Sequence, residues 1–308
     1  MKVIDCFIFN HELDLLELRL MEIGDYVDEV VLVEMPHNFM QQPKPLHFNE
    51  NKDRFEKWLP KIRHIVIREY NIAGHPEMEY CQRRGIREGL VGCMPDDIIM
   101  ISDVDEIPTR GVLDNVRRLP PDHPFVCLQR LYYYYVNCQQ NAPWAGTVIG
   151  PRHSFPPDID CQQIRFDRHN FPRIEQCGWH FSWLGPLEQL KMKLDSIDVT
   201  ADAKLYNTPE IVKPSTSDTT FLERCLETGE DLFGRTDEIA RKSFVPIEPG
   251  VRQPTVIREW LAMHPQYVKY GDDHVDYQTE NAEVPRRKRG RPKGSKNKPK
   301  PTAGGALR

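Results

Sequence analysis

The apolar and polar positions of this chain alternate between two rhythms. Lys2 to Asn10 (KVIDCFIFN) is a short apolar run of β-forming residues and predicts a first strand. His11 to Tyr26 then places Leu13, Leu16 and Leu20 on one helical face, with charge opposite. Asp28 to Met35 (DEVVLVEM) and Ile62 to Arg68 (IRHIVIR) read as further strands, separated by a polar, Pro-containing loop over Pro36 to Asn51. Pro76 to Val91 is helical in pattern, with Met78, Cys81 and Ile86 toward a core, and the run from Ile98 to Ile101 predicts a fourth strand. Nearly continuous apolar strands of this kind suit a parallel sheet covered on both faces, and their alternation with helices predicts an α/β fold.

Beyond that unit, Gly111 to Leu119 reads as helix and Pro124 to Val136 (PFVCLQRLYYYYV) as strand. Asn137 to Pro186, rich in Trp, Pro, His and Arg, is expected to be irregular and to wall the site. Leu187 to Ile197, Thr219 to Glu227 and Thr255 to Met263 are helix candidates. From Pro285 onward apolar periodicity stops. The division expected is a domain over 1–284 and a disordered basic tail over 285–308.

Charge sharpens that division. The tail holds ten of the 41 Lys and Arg and no Asp or Glu, leaving 31 basic against 46 acidic residues elsewhere, a formal −15. An acidic body with a basic tail implies two kinds of partner. The eight cysteines form no C-x-x-C pair, so zinc spacing is absent and reduced, buried thiols are expected to predominate. Met1 to Cys6 lacks the pattern of a signal peptide and no apolar run approaches the ~20 residues of a membrane span, which makes a cytoplasmic location the expectation.

Candidate chemistry gathers where the fourth strand ends, in Asp96-Asp-Ile-Ile-Met-Ile-Ser-Asp-Val-Asp-Glu-Ile-Pro108. In open α/β sheets ligands sit beyond the carboxyl ends of the strands. There Asp103, Asp105 and Glu106 follow the apolar run, and Ile107-Pro108 closes it. Two aspartates one residue apart suit a hard divalent cation, Mg²⁺ or Mn²⁺, which takes some oxygens from protein and the rest from water and phosphates. Such an ion neutralises charge on a departing diphosphate. A bare D-x-D is otherwise a solvated turn. Asn10 and Glu12, after the first strand, are placed for nucleotide contact, Glu12 alternatively as a helix-start charge. Arg83 and Arg87, four apart, are placed to reach a diphosphate or else to face solvent. Arg19 is expected to pair with Glu22 or Glu34.

Three segments occur in order: Phe7-Ile-Phe-Asn-His-Glu-Leu-Asp-Leu-Leu-Glu-Leu-Arg-Leu20, Asp97 to Pro108, and Gly178-Trp-His-Phe-Ser-Trp183. Together they resemble the β-1,4-mannosyl-glycoprotein β-1,4-N-acetylglucosaminyltransferase family, glycosyltransferase family 17, over roughly residues 1 to 270. The resemblance implies a GT-A-type nucleotide-sugar fold, inverting transfer, a UDP-sugar donor with UDP-GlcNAc foremost, a glycan acceptor and a divalent metal. It matches Asp103 and Asp105 to the metal–diphosphate motif, with Asp105 the direct ligand and Asp103 facing ribose or a metal-bound water. His180 is an additional ligand or a core histidine between Trp179 and Trp183. An inverting transfer needs a base for the acceptor hydroxyl, for which Glu106, Glu188 and Asp218 are the candidates. The animal members sit behind a membrane anchor; none is expected here, which leaves the acceptor open.

Aromatic side chains offer sugar-stacking faces. In a strand Tyr132 and Tyr134 would face one way and Tyr133 and Tyr135 the other, one pair toward the core and the other along an acceptor groove. Trp144 is a further acceptor-side candidate or a loop anchor. In the tail, Pro285 to Pro301 (PRRKRGRPKGSKNKPKP) contains Arg289-Gly-Arg-Pro292, which resembles an AT-hook, a minor-groove binder; nucleic acid is the partner this implies. Two rival functions share these residues: a metal-dependent phosphatase or nuclease held on DNA by the tail, and a non-catalytic DNA-tethering protein. Against a haloacid-dehalogenase-like phosphatase, Asp103-Val-Asp105 is followed by Glu-Ile-Pro and lies after several strands instead of the first.

Overall fold

The computed structural model describes residues 1–68, 75–118, 122–197 and 213–270. Among them run ten strands: β1 (Val3–Phe9), β2 (Glu29–Glu34), β3 (Ile62–Val66), β4 (Ile98–Asp103), β5 (Glu106–Pro108), β6 (Phe125–Tyr133), β7 (Cys138–Gln140), β8 (Trp144–Pro151), β9 (Arg173–Ser182) and β10 (Lys242–Phe244). β1 pairs in parallel with β2 on one side and β4 on the other, and β2 pairs in parallel with β3. All seven residues of β1 are buried, which is why its sequence is an apolar run without alternation. Val3, Phe7 and Phe9 pack with Leu16, Leu20 and Ile23 of the helix Leu13–Ile23. Ile4 and Cys6 pack on the opposite face with Met78 and Ile86, from the helices His75–Arg84 and Ile86–Gly89. The expected α/β sheet flanked by helices is therefore present.

The strand order β3-β2-β1-β4 reverses direction between β1 and β4. At such a switch point the outgoing connections diverge and leave a crevice beyond the carboxyl ends of the two strands. Ile8 is in register with Asp103, so Asn10 to Glu12 and Asp103 to Glu106 leave the sheet side by side.

Past β4 the sheet becomes largely antiparallel: β8 on β4, β6 on β8, β7 on β6 and β10 on β7. β9 runs parallel to β6 and pairs with β5. This corrects the expectation for Asn137 to Pro186, which holds β7, β8, β9 and the helix Cys161–Asp167. These strands are buried over much of their length yet contain Gln, Thr, Gly, Trp and His, so an apolar rhythm does not mark them. The helix is announced locally, with Asp160 at its N-cap accepting from the Gln162 and Gln163 amides.

One side-chain expectation changes, for the tyrosines, and one holds, thiols predominating among the cysteines. Tyr132 and Tyr134 are fully buried and Tyr133 nearly so. Tyr134 has φ of 62°, which breaks the strand alternation and packs its ring beside that of Tyr133. The Tyr132 and Tyr134 hydroxyls donate to the carbonyls of Arg252 and Glu230. These three rings are core, not groove. Of the eight cysteines, six are thiols, while Cys127 on β6 and Cys177 on the neighbouring β9 form a disulfide, their Cα atoms 5.1 Å apart. No helix among the described residues is long and apolar enough to cross a membrane. The basic stretch 285–301, with its Arg-Gly-Arg core, lies outside the described residues.

Candidate active site

The segment between β4 and β5 is fixed from below by a buried arginine. Asp5 lies on the face of β1 that meets the helix Leu13–Ile23, and Arg19 of that helix makes a two-pronged pair with it, Nη2 to Oδ1 at 2.5 Å and Nε to Oδ2 at 2.7 Å. The same guanidinium donates to the carbonyls of Asp103, Val104 and Glu106 and to Ser102 Oγ. Arg19 thus partners neither Glu22 nor Glu34; Asp5 outcompetes both because it sits directly under the helix. An ion pair buried this fully costs desolvation unless every donor is used, and here the spare donors shape the acidic turn.

Glu106 is wholly buried and saturated. Its Oε1 accepts from Trp144 Nε1 and Arg165 Nη2, both at 2.7 Å, and its Oε2 from Arg165 Nη1 at 2.9 Å and the Asp103 amide at 3.1 Å. A carboxylate with four donors on it has no lone pair to offer an acceptor hydroxyl, so Glu106 is a framework residue rather than a base. The other two base candidates are also occupied elsewhere. Glu188 is exposed on the helix Leu187–Ser196, beside Lys191. Asp218 is the exposed N-cap of the helix Thr219–Thr228 and accepts from the Phe221 amide.

The two aspartates of the D-x-D have different surroundings. Asp103 is clasped on both oxygens, by Arg83 Nη1 at 2.5 Å and Arg165 Nη2 at 3.0 Å. Burial would raise its pKa, but the two guanidinium groups outweigh that and hold it at about 2. Arg83 also donates to Gln162 and Glu79, while Arg87, one turn further, is exposed. Asp105 has Lys193 Nζ 3.2 Å from Oδ2 and His180 Nε2 3.4 Å from Oδ1. Burial acts upward on it too, but Lys193 and His180 hold it well below the usual carboxylate range. Its Oδ1 is buried and accepts no hydrogen bond, and the Nδ1 of His180 is likewise without a partner.

His180 reaches this place because β9 pairs with β5, in register with Glu106. The pairing needs the glycine of Gly178-Trp-His: a Cβ there would lie 2.2 Å from the Ile107 carbonyl oxygen. The His180 ring packs against that of Trp144, centroids 4.9 Å apart and planes tilted by 42°. Trp144 is therefore anchored at its nitrogen by Glu106 and packs beside the imidazole.

Asn10 is nearly buried, with Oδ1 unpartnered. Glu12 precedes the helix but does not cap it; its Oε2 accepts the amides of Asn10 (3.2 Å) and His11 (2.9 Å). Glu12 lines a cavity of roughly 160 Å³ with His11, Gln189, Lys193 and Tyr267. Asn10, Glu12, Arg83, Asp103, Asp105, Glu106 and His180 thus come together at the switch point, while Arg87, Glu188 and Asp218 do not join them.

Arg165 and Lys193 were not singled out in the sequence. For Arg165 a signal existed: Cys161, Ile164 and Arg165 share one face of a short helix, which puts a guanidinium on the apolar side. Lys193 carries no comparable mark.

A metal ion is tested by the same distances. Among the described residues no three His, Cys, Asp or Glu side chains converge as a ready metal cage, and Asp103 is unsuited because both its oxygens hold arginine. Asp105 Oδ1 and His180 Nε2 do fit: a buried oxygen lacking a hydrogen bond faces an imidazole nitrogen, and a mixed oxygen–nitrogen pair suits Mn²⁺ better than Mg²⁺. Two protein ligands with the remainder from phosphate and water are typical where such ions carry nucleotides.

Comparison with known proteins places the chain. Residues 1–231 match the family profile of Glycosyltransferase family 17, and the chain belongs to that family. It is 34% identical over 122 residues to the beta-1,4-mannosyl-glycoprotein 4-beta-N-acetylglucosaminyltransferases of Rattus norvegicus and Homo sapiens, an alignment covering 36% of this chain and 23% of each relative. The aligned region is thus less than a quarter of those relatives' length. Among solved structures, a putative nucleotide-diphospho-sugar transferase from Desulfovibrio desulfuricans aligns with 73% of this chain and 95% of its own, at 10% identity and a TM-score of 0.31.

Proposed function

We propose that this protein is an inverting glycosyltransferase with a GT-A-type site that moves a sugar, GlcNAc from UDP-GlcNAc, onto a glycan hydroxyl and releases UDP. Family membership supports the reaction class. The observation that carries the site is the buried, unbonded Asp105 Oδ1 facing His180 Nε2 beyond the β1–β4 switch point. Asp105 and His180 would hold Mn²⁺ or Mg²⁺, which supplies positive charge to the diphosphate as it leaves. Asp103 acts from behind, as an arginine-clasped support for the turn. Asn10 and Glu12, at the end of β1, face the nucleoside, with the unpartnered Asn10 Oδ1 as an acceptor for its hydroxyls or ring nitrogens.

UDP release from UDP-GlcNAc with a mixed glycan acceptor pool tests this. Wild type should release UDP with Mn²⁺ and Asp105→Asn should not, whereas turnover of simple phosphate esters with UDP-GlcNAc left intact would favour the phosphatase or nuclease reading instead. We also propose that the basic stretch 285–301 binds nucleic acid through its phosphates, in which case a chain ending at Val284 loses salt-sensitive DNA retention; unchanged retention contradicts it.

A further inference from the structure

Four cations touch the acidic turn, and each of the three arginines is held by at least three partners. Arg19 serves Asp5, Ser102 and three carbonyls, Arg83 serves Asp103, Glu79 and Gln162, and Arg165 serves Asp103, Glu106 and the Gly146 carbonyl. Lys193 differs. Its ammonium has three protons, and the hydrogen bond it makes among the described residues is to Asp105 Oδ2. It rides on the helix Leu187–Ser196 and lines the cavity shared with Glu12, its ammonium lying over the Trp183 ring with Nζ 5.6 Å from the centroid. Trp183 is itself turned inward by a left-handed backbone, φ 55°, followed by Gly185 at φ 130°. The chain thus bends sharply after β9 and returns a lysine to the mouth of the crevice.

Balancing Asp105 alone would need no cavity-lining position. An ammonium with unspent donors at the edge of a nucleotide crevice is a phosphate-binding group, and charge-assisted contacts of that kind are among the stronger ones available. Resting on the reading that the crevice binds a nucleotide diphosphate, we propose that Lys193 is a direct contact to the diphosphate, a protein-borne cation that shares the leaving group's charge with whatever ion Asp105 holds. Lys193 donates to a phosphate oxygen through protons not used on Asp105, so the contact exists without metal.

The test is calorimetry on the full chain with UDP and with uridine, in EDTA. Wild type should bind UDP more tightly than uridine. Lys193→Gln should lose about tenfold or more in UDP affinity while uridine affinity stays within about twofold, and Lys193→Arg should recover most of the loss. Because Lys193→Gln strands a buried Asp105, the comparison is repeated on Asp105→Asn, where removing the lysine strands no carboxylate. If Lys193 reaches phosphate, adding Lys193→Gln to Asp105→Asn still weakens UDP about tenfold. If the lysine merely neutralises Asp105, the double variant binds UDP like Asp105→Asn, and the inference falls. Equal losses for UDP and uridine would also overturn it, as a structural effect. A wild type that binds UDP with Mn²⁺ but not in EDTA overturns this inference alone, and one that binds no UDP even with Mn²⁺ defeats the underlying nucleotide reading as well.

Discussion

Arg83 Nη1 lies 2.5 Å from Asp103 Oδ1, so the first aspartate of the D-x-D is spoken for by the protein itself. Arg165 takes its other oxygen. The pair of aspartates is thereby divided into a supporting member and a ligand-facing one, Asp105.

Arg83→Met should reveal the support. It leaves Glu79, Gln162 and one oxygen of Asp103 without their donor. Breaking a fully buried pair costs about 3–5 kcal/mol; Asp103 is part-exposed and keeps Arg165, so a loss of roughly 2 kcal/mol is expected from urea unfolding. An unchanged midpoint with an unchanged slope would show the clasp to be unimportant.

Acid should dissolve the same clasp. Asp103 and Asp231 both have folded pKa values of about 2, below the ordinary 3.8, because arginine pairs with each and Lys242 also with Asp231. Their stabilisation is full above the ordinary carboxylate value and is lost as pH falls from about 4 toward 2. Each is expected to contribute about 1–2 kcal/mol across that window. Asp231→Asn should flatten the fall measured by urea midpoints between pH 5 and 2.5; the same steepness in the variant would contradict the assignment.

The carboxylates far from the crevice should be dispensable for chemistry. Glu188→Ala is expected to keep UDP release within about twofold of wild type. Asp218→Ala should keep kcat as well, while losing about 1 kcal/mol of stability with its helix cap. A hundredfold drop in kcat for either variant, with the fold intact by circular dichroism, would restore it as a base.

How much of this was legible in the chain follows from the physics of each part. β1, β2 and β4 declare themselves because strands buried on both faces must be apolar throughout, and the switch point between β1 and β4 then locates the crevice. β8 and β9 do not, because their inward residues include Thr147, Gly178 and His180, chosen for the site and for close strand approach. Residue types at the turn were readable, but their roles were not. Whether Asp103 or Asp105 faces ligand depends on Arg165 and Lys193, which lie 62 and 88 residues away from them in sequence. Glu106 looked like a base because a glutamate beside two aspartates offers an oxygen; four donors arriving from Trp144, Arg165 and the backbone remove it.

The division of labour between the two aspartates is tested most directly by Mn²⁺ binding, followed through the electron paramagnetic resonance signal of the free ion in the presence of UDP. Wild type should take up one ion per chain, Asp105→Asn should weaken that uptake roughly tenfold or more, and Glu188→Gln should leave it unchanged. Uptake by Asp105→Asn equal to that of wild type would contradict the account.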